Sequence, residues 1–213
     1  MSRNFFFEPD DDTSIYQPLR CTLVLVCVCW SPDQQTIYLV IIRFHHNTEF
    51  ITVTNLNWLP VLQNDYHKQI LIEALKHRVD LKQVSIYAFV IMPNHFHALW
   101  QLHDGIDEMS FQRDLLKFTA RSILKFMLMN DILLLNQLEV KAADRQNQVW
   151  ERNSLSIEIW NEKVFIQKLN YIHNNPVHPK WKLAATPEEY RYSSALFYQT
   201  GNNEFGFLVH YKG

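Results

Sequence analysis

Residues 84–102, VSIYAFVIMPNHFHALWQL, constrain the fold of this chain more than any other stretch. Residues 84–92 are apolar almost without interruption, the pattern of a strand covered on both faces. Pro93-Asn94 breaks that strand and residues 95–102 resume it. Successive side chains of a strand point to opposite faces. Phe96, Ala98 and Trp100 therefore share one face, and His95, His97 and Leu99 share the other. Two imidazoles leaving one side of a rigid sheet are half of a metal site. Ten histidines in 213 residues make about one half of such a pair by chance, so the count alone decides nothing. Context adds weight. Two buried imidazoles without partners are costly, and ligation relieves that cost.

The rest of the composition narrows the function classes. The length suits one good core, and 47% apolar with 20% charged residues is ordinary for a globular protein. Only four glycines occur, with no GxGxxG or GxxxxGK, which argues against a glycine-rich nucleotide loop. A net charge of −2 is not that of a general polyanion binder. A nucleic-acid surface on this chain must be local, or built on stacking as much as on charge. Cys21, Cys27 and Cys29 form an odd, clumped set that reads as small buried residues in a reducing, cytoplasmic compartment. The apolar run 22–30 is far short of the ~20 residues that span a bilayer, and Glu8 and Asp10 to Asp12 precede it instead of a basic flank. No membrane association is expected.

Along the chain, residues 1–46 form an N-terminal extension. An acidic, proline-punctuated start leads into two apolar runs around Ser31-Pro32-Asp33, a pattern that fits a hairpin or a partly disordered segment. Residues 49–58 alternate as a strand that Pro60 stops. Asn64 caps a predicted helix running to about Arg78. Residues 107–129 give the longest helical pattern, residues 132–147 read as a loop bearing a short helix, and 148–160 as extended. Residues 162–173 are helical again, until Pro176 forbids continuation. Thr186-Pro187-Glu188-Glu189 is a capping box that predicts a short helix onward from it. One domain over residues 47–200 and a C-terminal tail over 201–213 are expected.

Two helices carry chemistry. On the first, Arg113, Lys117, Arg121 and Lys125 repeat every four residues as one basic ridge. Solvated helix faces usually mix signs to gain i,i+4 pairs. A ridge of one sign reads as a phosphate contact. On the second, within KLNYIHNNPV, Tyr171 and Asn175 lie one turn apart with Lys168 on the same side, while Leu169 and Ile172 take the opposite side. Tyrosine is a common packing residue on such a face. It is also a nucleophile, and a phenol of ordinary pKa needs a neighbouring cation on the same phosphate to react near neutral pH.

YAFVIMPNHFHALW, KLNYIHNNPV and PEEYRYSSA occur in that order, with the helix FTARSI between the first two. Together they resemble the single-tyrosine HUH transposases, in particular the REP-associated tyrosine transposase branch, over residues 47–200. The resemblance implies an α+β fold, an antiparallel sheet with helices packed on it, of the ferredoxin-like HUH endonuclease kind. It implies that His95 and His97 bind a divalent metal, Mg2+ or Mn2+. It also implies that Asn175 is the third ligand, with His173 or Asn174 as substitutes, and that Tyr171 is the catalytic nucleophile. The implied activity is cleavage and rejoining of single-stranded, hairpin or palindromic DNA through a 5′-phosphotyrosine. From composition and not from the resemblance, Arg113, Lys117, Arg121, Lys125 and Lys168 are expected to bind DNA, and Trp100, Trp150 and Trp181 to stack on unpaired bases. The implied protein is bacterial, nucleoid-associated and monomeric, with exchange of tyrosine helices between two protomers as the alternative. Rival readings are a domesticated DNA-binding module, an RNA-binding domain of similar topology, and a metal-dependent hydrolase that uses a metal-bound water. The resemblance has one geometric consequence: Tyr171 should lie on the order of 4–8 Å from the imidazoles, one metal-plus-phosphate span.

Overall fold

Phenylalanine, isoleucine, valine and threonine supply every position but Glu49 of Thr48–Thr54 and form the first strand, β1, because branched and aromatic side chains fit a pleated, half-buried surface. In this computed structural model, which describes residues 48–213, helix α1 follows at Asp65–Asp80. Asn64 caps it, its Oδ1 accepting the Tyr66 N–H at 2.9 Å. Strands β2 (Val84–Ile91) and β3 (His95–Leu102) come next. Helix α2 (Glu108–Asn130) is capped by Asp107, and α3 (Ile132–Gln137) by Asp131. A small hairpin, β4 (Glu139–Ala142) and β5 (Arg145–Asn147), leads to β6 (Leu155–Ile159). Helix α4 (Glu162–Asn174) begins at its cap Asn161, and α5 (Ala195–Thr200) closes the order. The extension expected over residues 1–46 lies outside the described residues.

Among the described residues, β2, β3, β1 and β6 form one sheet in that order, every pairing antiparallel. Numbered by chain position among the four, the order is 2-3-1-4. With a helix after β1 and another after β3, this is the ferredoxin-like arrangement and an α+β fold. The alternation in β3 sorts the layers. Phe96, Ala98 and Trp100 pack with Ile70, Leu71 and Leu75 of α1 and Phe111, Leu115 and Ile123 of α2. On the reverse face, Leu99 packs with Phe50 and with Phe165, Leu169 and Ile172 of α4. Burying each of these α4 side chains is worth about 1.5–3 kcal/mol, which seats the helix against the histidine face.

Three segments differ from the sequence expectation. Residues 139–147 form a hairpin where a loop was expected. Their side chains are mostly polar and exposed, so ladder bonds and not a hydrophobic pattern hold it. The Thr186 capping box closes, with Glu189 Oε2 accepting the Thr186 N–H at 3.3 Å, but yields only a 3-10 turn over Pro187–Glu189. The chain leaves it because Tyr190 Oη donates to the Ile91 carbonyl (2.7 Å) and the Tyr192 carbonyl accepts the Ile91 N–H (2.9 Å). Tertiary bonds override the local helix signal there. Residues 201–213 are not a loose tail: Phe207 and Leu208 are buried, and the Val209 N–H donates to the Ile86 carbonyl at 3.0 Å. Ser193 and Leu208 together cover the outer edge of β2, bridging Val90 and Ile86. No helix among the described residues is long and apolar enough to cross a membrane.

Candidate active site

β3 sends His95 and His97 out of the same face, with ring centroids 4.7 Å apart, and both side chains are buried. Each ring is held by its Nδ1. The Asn94 Oδ1 lies 2.7 Å from His95 Nδ1, and the same amide donates from Nδ2 to the Trp58 carbonyl at 3.2 Å, which fixes its orientation. An amide oxygen can only accept, so His95 Nδ1 carries the proton and Nε2 keeps its lone pair. His97 Nδ1 lies 2.8 Å from Thr52 Oγ1, across the β1–β3 register that pairs these two residues. His97 Nε2 is buried with no hydrogen-bond partner. Rings anchored in this way and offering Nε2 are the usual arrangement of metal-binding histidines.

Burial drives both imidazoles to the neutral form. His95 is pushed down to about 4 by burial and by the Lys180 ammonium. His97 is held well below the ordinary histidine range by burial, then by His95 and Lys168, against a bond to the Ile51 backbone. Neutral imidazoles are the ligating species.

Helix α4 brings Tyr171 to these rings. Its ring centroid is 5.2 Å from that of His97 and 5.9 Å from that of Phe50, edge to face in both cases. Phe50 also stacks on His97 at 5.3 Å. The separation of Tyr171 from His97 lies inside the 4–8 Å expected. The phenol stays 46% exposed, open to a substrate. Burial of the rest of the side chain raises its pKa, and the Asn175 side chain pulls the other way. Lys168 extends over the Phe50 ring, with Nζ 4.8 Å from the centroid.

Asn175 keeps αR backbone angles (φ −57, ψ −45) at the C-cap of α4, although Pro176 follows it. It is buried, and its Oδ1 has no hydrogen-bond partner. The alternatives His173 and Asn174 are engaged elsewhere. His173 Nε2 lies 3.0 Å from Ser194 Oγ, and Asn174 Nδ2 donates to the Asn170 carbonyl at 2.8 Å. Ser194 is itself fixed to β2, its N–H donating to the Phe89 carbonyl at 2.9 Å. PEEYRYSSA thus locks α4 to the sheet without entering the site.

Among the described residues, no three His, Cys, Asp or Glu side chains converge. A donor set here is two imidazoles and an amide oxygen. The partnerless Nε2 of His97 and Oδ1 of Asn175 belong to two residues that each neighbour Tyr171, and such atoms fit a divalent cation that accepts nitrogen and oxygen ligands.

The basic ridge goes elsewhere. Arg113, Lys117, Arg121 and Lys125 are exposed on α2, which packs on the opposite face of the sheet from α4. A groove of about 520 Å3 between α1 and α2, lined by Tyr66, Phe118, Lys125 and Met129 among others, also lies on that far layer. Trp100 and Trp150 are core residues and cannot stack on a base. Trp100 Nε1 donates to Glu49 Oε2 at 3.1 Å, and Trp150 Nε1 lies 3.1 Å from the Leu116 carbonyl. Trp181 does reach the site, 5.6 Å from the His95 ring. Trp58, its ring 5.9 Å from that of His95, was not singled out from the sequence, nor were Lys180, Asn94 and Thr52. The place of Asn94 beside His95 and the alternation of Thr52 in β1 were the available signals for two of these.

No protein-family model matches the chain, and no curated protein matches it. Among solved structures, a REP-associated tyrosine transposase bound to a REP hairpin superposes with a TM-score of 0.54 at 20% identity, over 78% of this chain and 87% of that one. A proposed transposase from Deinococcus radiodurans R1 gives a TM-score of 0.43 at 14% identity, over 68% of this chain and 97% of that one. The fold assignment rests on the first: this chain has the fold of a REP-associated tyrosine transposase.

Proposed function

We propose that the chain is a DNA transposase and nickase that cleaves and rejoins single-stranded, hairpin-bearing DNA through a 5′-phosphotyrosine on Tyr171. The supporting observation is a convergence. An accessible phenol meets the neutral imidazole of His97, whose neighbour His95 is 4.7 Å away between ring centroids, both held by Nδ1, and the polar atoms His97 Nε2 and Asn175 Oδ1 are buried without partners. His95, His97 and Asn175 would hold a divalent cation of the magnesium or manganese kind, which when bound supplies Lewis-acid polarisation of the scissile phosphate.

The residues of the chain then divide the work. Tyr171 Oη attacks phosphorus, the bond to the 3′ oxygen breaks, and the phenol proton is lost to solvent. The leaving oxygen takes up a proton and departs as a 3′-hydroxyl. A 3′-hydroxyl can attack the phosphotyrosine in turn, which restores the phenol and joins DNA. No nucleotide hydrolysis is needed, because transesterification conserves the phosphodiester bond energy. Asn175 steadies the phenol, and the Lys168 ammonium offsets phosphate charge. The structural neighbour is bound to a REP hairpin, and hairpin DNA is the partner proposed for this chain. The α2 ridge would contact phosphates of DNA beyond the cleavage point. A monomer is the form proposed, supported by the contact of Tyr171 with His97 of the same chain.

A hydrolase with water as its nucleophile, a DNA-binding module without chemistry, and an RNA-binding domain each leave the approach of Tyr171 to His97 without a role. Incubation with a hairpin-bearing single strand and magnesium is expected to give a product with a free 3′-hydroxyl that a polymerase extends. Uncut DNA, or cut ends that cannot be extended, would contradict the reading.

A further inference from the structure

Two loops meet over His95, and both spend backbone strain to do so. In the first, Asn57 (φ 52) and Trp58 (φ 58) occupy the left-handed region, which bulky residues avoid. Bonds at either end hold this turn. The Asn57 N–H donates to Glu151 Oε1 at 2.8 Å, and the Trp58 carbonyl accepts from Asn94 Nδ2 at 3.2 Å. The product is an indole 51% exposed to solvent, its ring 5.9 Å from His95. In the second loop, Lys182 (φ 49) is left-handed, and the Trp181 and Lys182 N–H groups both donate to the His178 carbonyl, at 2.8 and 3.0 Å. This turn sets the Trp181 ring 5.6 Å from His95. Lys180 reaches both indoles, with Nζ 5.1 Å from the Trp181 ring centroid and 6.0 Å from that of Trp58.

Packing accounts for part of the Trp181 placement, since its ring is half-buried against the α4 side of the sheet, but not for that of Trp58. Where tryptophan serves the core of this protein, at Trp100 and Trp150, the side chain is buried and its Nε1 is bonded inside. Trp58 is instead held out into solvent beside a cation. Flat aromatic faces with a neighbouring ammonium are the equipment that unpaired nucleotides require, stacking for the base and charge for the phosphate. Stacking reads no sequence, so the subsite would take any unpaired base. The amide of Asn94 bonds both His95 and the Trp58 carbonyl, so one side chain ties the indole loop to the candidate metal ligand.

We infer that Trp58, Lys180 and Trp181 form a clamp for one unpaired nucleotide of single-stranded DNA beside His95, with the indoles on the base and Lys180 on the adjoining phosphate. This inference rests on the reading that single-stranded DNA is the substrate.

The test is equilibrium binding of a fluorescein-labelled single-stranded oligodeoxynucleotide and of the corresponding duplex, in a Tyr171→Phe background that cannot cleave. Trp58→Ala and Trp181→Ala are each expected to weaken single-strand binding roughly tenfold or more, with little effect on the duplex. Trp58→Phe and Trp181→Phe should recover most of the loss, which a merely structural role would not predict. Lys180→Gln should lower the slope of log affinity against log salt by about 0.7, one phosphate contact. Single-strand binding unchanged in both alanine variants overturns the clamp, as does equal weakening for single strand and duplex. Adduct formation by the unaltered protein is measured in parallel. An adduct with unchanged binding in the alanine variants refutes the clamp alone. Selective loss of single-strand binding without any adduct supports the clamp and refutes the cleavage reading. Absence of single-strand binding by the parent protein refutes both.

Discussion

The imidazole of His97 and the phenol of Tyr171 meet edge to face with ring centroids 5.2 Å apart, although one belongs to the central sheet and the other to α4. The strand fixes the imidazole through the cross-strand bond to Thr52, and the buried side chains of α4 fix the phenol. Neither element alone makes a site. The histidine pair faces Tyr171, whose helix is seated by Phe165, Leu169 and Ile172, so the distance between them is set by packing on the sheet; in the proposed function the pair would be the donors and Tyr171 the nucleophile.

Thr52 is the most direct handle on the donor pair. Thr52→Val keeps the β-branched shape and β1 pairing but removes the hydroxyl that holds His97 Nδ1. We expect manganese affinity, measured by calorimetric titration, to fall about 10- to 100-fold, the usual effect of removing such a support. Unchanged affinity would mean that His97 is not a ligand or needs no anchor.

The third donor is distinguished by a pair of neighbouring variants. Asn175→Ala removes a buried oxygen without a partner, and should weaken manganese binding and adduct formation tenfold or more. Asn174→Ala removes an exposed amide that bonds only the Asn170 carbonyl, and should leave both unchanged. The reverse order of effects would move the ligand to Asn174.

Acid should destabilise the fold, and the sign follows from the direction of each shift. His95 and His173 are pushed down to about 4 by burial, so between their unfolded value of 6.5 and pH 4 the unfolded chain binds more protons. Each contributes stability that is present above 6.5 and lost on acidification, on the order of 3 kcal/mol in full. Glu49 acts in the opposite sense. Burial beside Glu108 raises it to about 7, so its contribution is complete below 4.5 and lost as pH rises through 7. The histidines outnumber it, and urea midpoints should fall from pH 7.5 to pH 5. His173→Gln should flatten that dependence and Glu49→Gln should steepen it. A midpoint that rises on acidification would refute this balance.

The sequence exposed the strand pair and the helix starts because their signals are local. Alternation puts His95 and His97 on one face whatever surrounds them, and Asn64, Asp107 and Asn161 cap helices from neighbouring residues. Layer membership is not local. The ridge from Arg113 to Lys125 was legible as a face, but which side of the sheet it occupies depends on the connection that places α2 with α1. Trp58 and Trp181 went unassigned or weakly assigned for a related reason. Their approach to His95 hangs on left-handed turns at Asn57-Trp58 and at Lys182; Asn57 alone is of a type that marks such a turn, and Trp58 and Lys182 are not. The hairpin over residues 139–147 carries no apolar alternation to be read.

Covalent capture tests the central claim most directly. Hairpin-bearing single-stranded DNA is incubated with the protein and magnesium, denatured, and resolved for a protein–DNA adduct, whose attachment site is located by peptide mass spectrometry. The account predicts an adduct on Tyr171 that Tyr171→Phe abolishes, that chelation prevents, and that His97→Ala reduces at least a hundredfold. An adduct that persists in Tyr171→Phe, or one that forms equally well after chelation, would contradict it.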